Sequence, residues 1–143
     1  MPELTLEKAQ AIIVAGLGHA RERRLAPLAI VVLDARGAMK ALAAEDGASL
    51  RRAEIAHGKA YGALSLGMGS RGLAKAATER PHFVAAVTHA VGGSLIPVPG
   101  GVLLRSEGGG ILGAVGVSGD TSDNDEAAAL AGIASAGFTA DPG

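Results

Sequence analysis

The run Leu28-Ala29-Ile30-Val31-Val32-Leu33 constrains this chain more than any other stretch. It has no polar face and is rich in β-branched residues, so a strand built from it has to be covered on both sides. It is also far shorter than the about 18 apolar residues that a membrane span requires. The first expectation is therefore a sheet with this strand inside it and a layer of helices on each face. At 143 residues the chain is long enough for that, since a domain of this size buries roughly 68–70% of the surface its unfolded chain exposes.

Composition sets the character of the covering layers. Hydrophobic residues make up 48% of the chain but aromatic ones only 2%, so Ala, Leu, Val, Ile and Gly must form a closely packed aliphatic core. Thirteen basic residues against fourteen acidic ones give a net charge of −1, which provides no field for a phosphate backbone, and there are few rings on which bases would stack. No nucleic-acid partner is expected. The absence of cysteine removes disulfides, thiolate metal sites and cysteine nucleophiles. The start, Met1-Pro2-Glu3-Leu4, shows no basic segment leading into an apolar one. A cytoplasmic protein with no membrane attachment is the resulting expectation.

The elements follow from periodicity and punctuation. Leu6, Ala9, Ile13, Leu17 and Ala20 recur at helical spacing over Thr5–Arg24, with Thr5 placed to cap. After the apolar strand, Asp34-Ala35-Arg36-Gly37 has turn chemistry and predicts a hairpin returning over Ala38–Ala44, closed at its far end by Glu45-Asp46-Gly47. Leu50–Leu66 carries Ala53, Ala56, Ala60, Ala63 and Leu64 on one stripe, narrow enough to lie close to a sheet. Shorter helices are expected over Ser70–Glu79 and from Pro81. Leu95–Val98, Val102–Arg105 and Ile111–Val117 then predict three more strands, and Thr121-Ser122-Asp123 opens a last helix over about Asp125–Ala136, stopped by Gly137. No repeat or linker divides residues 1–143, so one domain with five strands is expected.

Two stretches match the dinucleotide fingerprint, Gly67-Met68-Gly69-Ser70-Arg71-Gly72 and Gly108-Gly109-Gly110-Ile111-Leu112-Gly113. Neither lies between a strand and a helix, and both read as turns. More telling is Gly113-Ala114-Val115-Gly116-Val117-Ser118-Gly119-Asp120, a glycine-rich strand end running into a helix start whose free N–H groups suit an anion. Lys59, on the flank of the Ala stripe with Arg52 seven residues earlier, is a cation that could face such a cradle. On this reading Lys59→Met weakens an anionic ligand and leaves folding nearly intact. Asp123-Asn124-Asp125 lacks the Gly of a calcium loop, and His19, His57, His82 and His89 show no zinc spacing, so no metal site is expected.

Six pieces occur in an order that resembles the GlcG/HbpS-like family, which includes the C-terminal module of PduO-type proteins. They are Leu4-Thr5-Leu6-Glu7-Lys8-Ala9, Val31-Val32-Leu33-Asp34-Ala35-Arg36-Gly37, Asp46-Gly47-Ala48, Ile55-Ala56-His57-Gly58-Lys59-Ala60-Tyr61, Pro97 and Gly113-Ala114-Val115-Gly116-Val117-Ser118-Gly119. The resemblance covers nearly the whole chain. It implies a profilin-like three-layer α/β/α sandwich with a five-stranded antiparallel sheet, and homo-oligomers of two or more copies, for which the Gly- and Ala-rich helices offer flat faces. It carries Asp34, Gly37, Asp46, Lys59, Ser118 and Gly119 over from the family's turns, helix lysine and strand end. Some members hold haem through a first-helix histidine, for which His19 is the candidate here.

Two functions follow. The first is a small-ligand binding protein for haem or a related tetrapyrrole, with His19 and the Lys59, Ser118 and Gly119 region as cofactor-binding candidates. The second, resting on chemical plausibility, is a cofactor-independent accessory enzyme acting on a small oxo- or hydroxy-acid. There Lys59 and the Ser118-Gly119 backbone hold the carboxylate, and Asp46 or His57 moves a proton.

Overall fold

The computed structural model describes residues 3–143; Met1 and Pro2, part of the start read as carrying no leader, lie outside the described residues. The elements are α1 (Leu6–Glu22), β1 (Ala29–Asp34), β2 (Met39–Ala44), α2 (Arg52–Leu66), α3 (Ser70–Glu79), α4 (Pro81–Ala90), β3 (Gly101–Arg105), β4 (Ile111–Ser118), α5 (Ser122–Ala136) and β5 (Thr139–Asp141). The strands form one antiparallel sheet in the order β2-β1-β4-β3-β5.

The apolar run behaves as its composition demands. β1 pairs with β2 on one side and β4 on the other, and Ala29 to Leu33 are all buried. Alternate residues serve opposite layers. Ile30 and Val32, with Val102, Leu104, Val115 and Val117, pack beneath α1 and α5, while Val31 and Leu33, with Leu103 and Ala114, pack beneath α2. Each fully buried aliphatic side chain contributes about 1.5–3 kcal/mol, which is why β1 takes an interior place in the sheet. The Ala stripe of α2 works as expected: Ala56, Ala60 and Ala63 face the sheet. The contact is close because β4 has glycine beneath them. A Cβ on Gly116 would run into the Ala56 carbonyl oxygen and come within 3.1 Å of the Ala60 Cβ.

Local chemistry marks the helix ends. Thr5 and Thr121 accept from the N–H groups of Lys8 and Asn124, Pro81 opens α4, and Gly67 and Gly137 close α2 and α5 in the left-handed region. Leu95–Val98, expected to be a strand, is not one. Pro97 has no N–H for a ladder, and the edges of β3 are taken by β4 and β5. The segment instead docks on α2, with the Ile96 N–H donating to the Gly58 carbonyl at 3.1 Å and Leu95 buried against Leu73 and Val84. The fifth strand is β5, three residues that follow Gly137 and carry no alternation of their own.

Candidate functional site

Helix α2 carries the chemistry singled out in the sequence, and two of its residues meet opposite fates. Lys59 points under the helix toward the end of β4. Its Nζ donates to the Val117 carbonyl at 2.8 Å and to Asp125 Oδ2 at 3.1 Å, and both charged side chains are only 2% exposed. The other carboxylate oxygen, Asp125 Oδ1, accepts from the Asp120 N–H at 2.9 Å. Burial pushes the Lys59 ammonium below its ordinary pKa, the Asp125 carboxylate opposes this, and Arg52 adds to the lowering.

The structure thus brings Lys59 to the glycine-rich strand end, and the anion it meets there belongs to the chain. Asp125, in the first turn of α5, sits where a ligand carboxylate was expected. The sequence reading overlooked this partner; its signal was an acidic residue in the first turn of a helix that starts beside the cradle. The expected tolerance of Lys59→Met is corrected accordingly, because removing the cation leaves Asp125 charged and unpaired in the core. Ser118, fully buried, accepts from Arg52 Nη1 at 3.2 Å. Gly119 has φ +154, and a Cβ there would lie 2.9 Å from the Leu28 Cα. The remaining acids of that loop are also engaged: Asp123 and Glu126 pair with Arg71 of α3, and Asp120 accepts from the Ala26 N–H and from Asn124. The Asn124 side chain first, then the Ala26 and Thr121 N–H groups, lower the Asp120 pKa. Among the described residues no group of three or more His, Cys, Asp or Glu side chains is placed to hold a metal ion.

His57, two residues from Lys59, faces the other way. Its Nδ1 lies 2.8 Å from Ser94 Oγ, and its ring stacks on Tyr61 with centroids 5.4 Å apart. It lines an open groove of about 440 Å³ between α2 and the loop after α4, walled by Glu54, Ile55, Gly58, Gly92, Gly93 and Ile96. The sequence offered no sign of Ser94, which follows two glycines on a loop. A second groove of about 600 Å³ runs between α1 and β2, and a hollow of about 170 Å³ lies by Arg36, Gly37 and Tyr61. None of the three is lined by His19, Asp46, Lys59, Ser118 or Gly119.

His19 sits half-buried in the last turn of α1. Burial first, then Arg23, lowers its pKa against the opposing pull of Glu22. Asp46 is exposed in the turn after β2, and His82 and His89 are exposed on α4. Asp34 accepts from the N–H groups of Arg36 and Ala38 and so pins the hairpin turn, whose Gly37 has φ +87. No helix among the described residues is long and apolar enough to cross a membrane.

The sequence matches the model of the family described as haem degrading protein HbpS-like over residues 4–134. No protein of curated function matches it. Among solved structures, the fold is similar to the haem complex of PduOC, with a TM-score of 0.86 at 21% identity over 96% of this chain and 98% of that one. It is also similar to protein ORFY of Klebsiella pneumoniae, with a TM-score of 0.84 at 25% identity over 95% and 92% of the two chains. A doubly substituted HbpS of Streptomyces reticuli has a TM-score of 0.78 at 27% identity over 94% and 87%.

Proposed function

We propose, since this chain belongs to the HbpS-like family of haem degrading proteins, that it binds haem or a related tetrapyrrole and acts by capture. The observation that carries this reading is the family match over residues 4–134, nearly the whole chain. The likeness in fold to a haem complex agrees with it. The donor chemistry of the chain fits such a group. There is no thiolate; the imidazoles are the nitrogen donors for such a group, with Met39 and Met68 the soft alternatives, and burial lowers the pKa of His19.

Bound haem would supply an iron centre that takes a side-chain donor, for which His19 is the candidate. The chain's own part is to present an imidazole. His19 on α1 is the ligand in this proposal, and His57, whose ring is held by Ser94 and Tyr61, is the competing imidazole. Lys59, Ser118 and Gly119 serve by fixing the strand end on which α2 and α5 rest. The accessory-enzyme reading loses its anion holder, because the Lys59 ammonium is already committed to Asp125 and Val117.

Titration of the purified chain with hemin tests the proposal. A Soret shift that saturates at micromolar protein, is lost in His19→Ala and is kept in His57→Ala is the expected result. Loss in His57→Ala alone moves the ligand to the α2 groove. No shift in the unaltered chain, together with stabilisation by a small carboxylic acid in a thermal-shift panel, overturns haem capture. A ligand at one hundred times its dissociation constant adds about 2.7 kcal/mol of stability.

A further inference from the structure

The turn that ends α4 delivers a serine to an imidazole. Gly92 and Gly93 take the left-handed region, with φ +86 and +93, and their N–H groups donate to the His89 and Thr88 carbonyls. Ser94 comes next. Two residues further on, the Ile96 N–H is bonded to the Gly58 carbonyl, and Leu95 between them is buried. Ser94 is thereby held from both sides, by α4 and by α2. The docking needs a glycine at position 58, since a Cβ there would lie 2.5 Å from Ile96 Cγ1.

The partner is held as well. His57 Nδ1 lies 2.8 Å from Ser94 Oγ, inside the range of about 2.6–3.2 Å over which a base takes a hydroxyl proton. Tyr61, one turn along α2, stacks on the ring at an interplanar angle of 18°. Glu54, one turn before His57, is the acidic side chain of the groove, and Arg51 engages its carboxylate at 2.8 Å. The approach to the pair is open, because a Cβ on Gly92 or Gly93 would meet nothing within 4 Å. Among the described residues the Ser94 N–H has no acceptor, which leaves a donor on the same residue as the hydroxyl.

We propose that Ser94 and His57 are a nucleophile and its base, forming an acyl-transfer site for small uncharged esters that is separate from haem capture. Ser94 Oγ bonds to the ester carbonyl carbon while His57 Nδ1 takes the hydroxyl proton. The bond from that carbon to the alcohol oxygen then breaks, and the proton leaves with the alcohol. Water attacks the acyl-serine by the same route, passes a proton through His57 to Ser94 Oγ, and releases the carboxylic acid. The sum is ester plus water giving acid plus alcohol. Ile55 and Ile96 in a groove of about 440 Å³ suit a short aliphatic acyl chain, and Glu54 disfavours an anion. Among the described residues nothing hydrogen-bonds the far nitrogen of the ring, so the pair is a dyad with slow turnover, and the acyl-serine is the species to detect.

The test treats the full, haem-free chain with an uncharged alkyl fluorophosphonate and, separately, with p-nitrophenyl acetate. The expected result is one phosphonate adduct per chain, mapped to Ser94 by peptide mass, together with slow release of p-nitrophenolate. His57→Gln keeps a hydrogen-bonding side chain beside Ser94 but cannot take its proton, and should slow both reactions about a hundredfold or more. Ser94→Ala should abolish the adduct with melting behaviour unchanged. His82→Ala, which removes an exposed imidazole of α4 outside the groove, should leave both reactions as they were. The site of the adduct is read on the unaltered chain and needs no variant. No adduct on Ser94, an adduct that forms as fast in His57→Gln, or hydrolysis that persists undiminished in Ser94→Ala overturns the proposal. Neither reaction uses hemin, so the haem reading stands or falls separately.

Discussion

Lys59 and His57 are neighbours on one helix, yet one is sealed in the interior and the other stands in an open groove. Helix geometry separates them: two residues are about 200° of rotation, so side chains at this spacing leave opposite flanks of α2. The Lys59 flank meets the sheet end and α5, where all three partner groups, the ammonium and both carboxylate oxygens, are satisfied. The His57 flank faces a loop, where Ser94 is the ring's one hydrogen-bond partner and Tyr61 stacks on it. A charge in the first setting joins layers of the fold. An imidazole in the second is available to a ligand. Residue type made both of them candidates, Lys59 as an anion holder and His57 as a proton carrier; in the structure the Lys59 ammonium is already paired with Asp125.

The contrast can be broken most directly at the sealed member. Lys59→Met should cost about 3–5 kcal/mol in urea denaturation, because Asp125 is left buried without its counter-charge. Adding Asp125→Leu should recover most of the loss, as apolar replacement of a whole buried pair is often neutral or stabilising. If Lys59→Met alone were neutral, the pair would not be the joint described here. Gly116→Val, which forces α2 off the sheet that seats both residues, should cost about 1–3 kcal/mol through overpacking. His57→Ala sharpens the other half of the comparison. It should cost only about 0.5–1.5 kcal/mol, the worth of one hydrogen bond, with melting behaviour otherwise unchanged.

The smallest effect concerns pH. Asp34, chiefly through the Ala38 N–H, and Asp120, chiefly through Asn124, have folded pKa values below their ordinary 3.8. Both therefore contribute stability above that value and lose it as pH falls through the lower folded value. Asp34→Asn and Asp120→Asn should each flatten the acid limb of a stability-against-pH curve. Because both groups are near solvent, salt should weaken the effect further.

Much of the fold was legible in the sequence because its signals are local. An apolar β-branched run has to be covered on both faces, a threonine before a helical stripe caps it, and glycine after one ends it. Those rules place β1, β4, α1, α2 and α5, and they make α2 a small-residue helix that lies close to the sheet. Elsewhere the local rules gave out. Leu95–Val98 has strand composition, but Pro97 and the occupied edges of β3 turn it onto α2; Thr139–Asp141 has no strand signal, yet it becomes β5 because β3 still needs a partner on that side. The site depends even more on distant contacts. Lys59 and Asp125 are 66 residues apart, and His57 and Ser94 are 37 apart. Periodicity determines which flank of a helix a side chain leaves from, whereas the packing of distant segments decides whether it meets a carboxylate, a hydroxyl or open solvent.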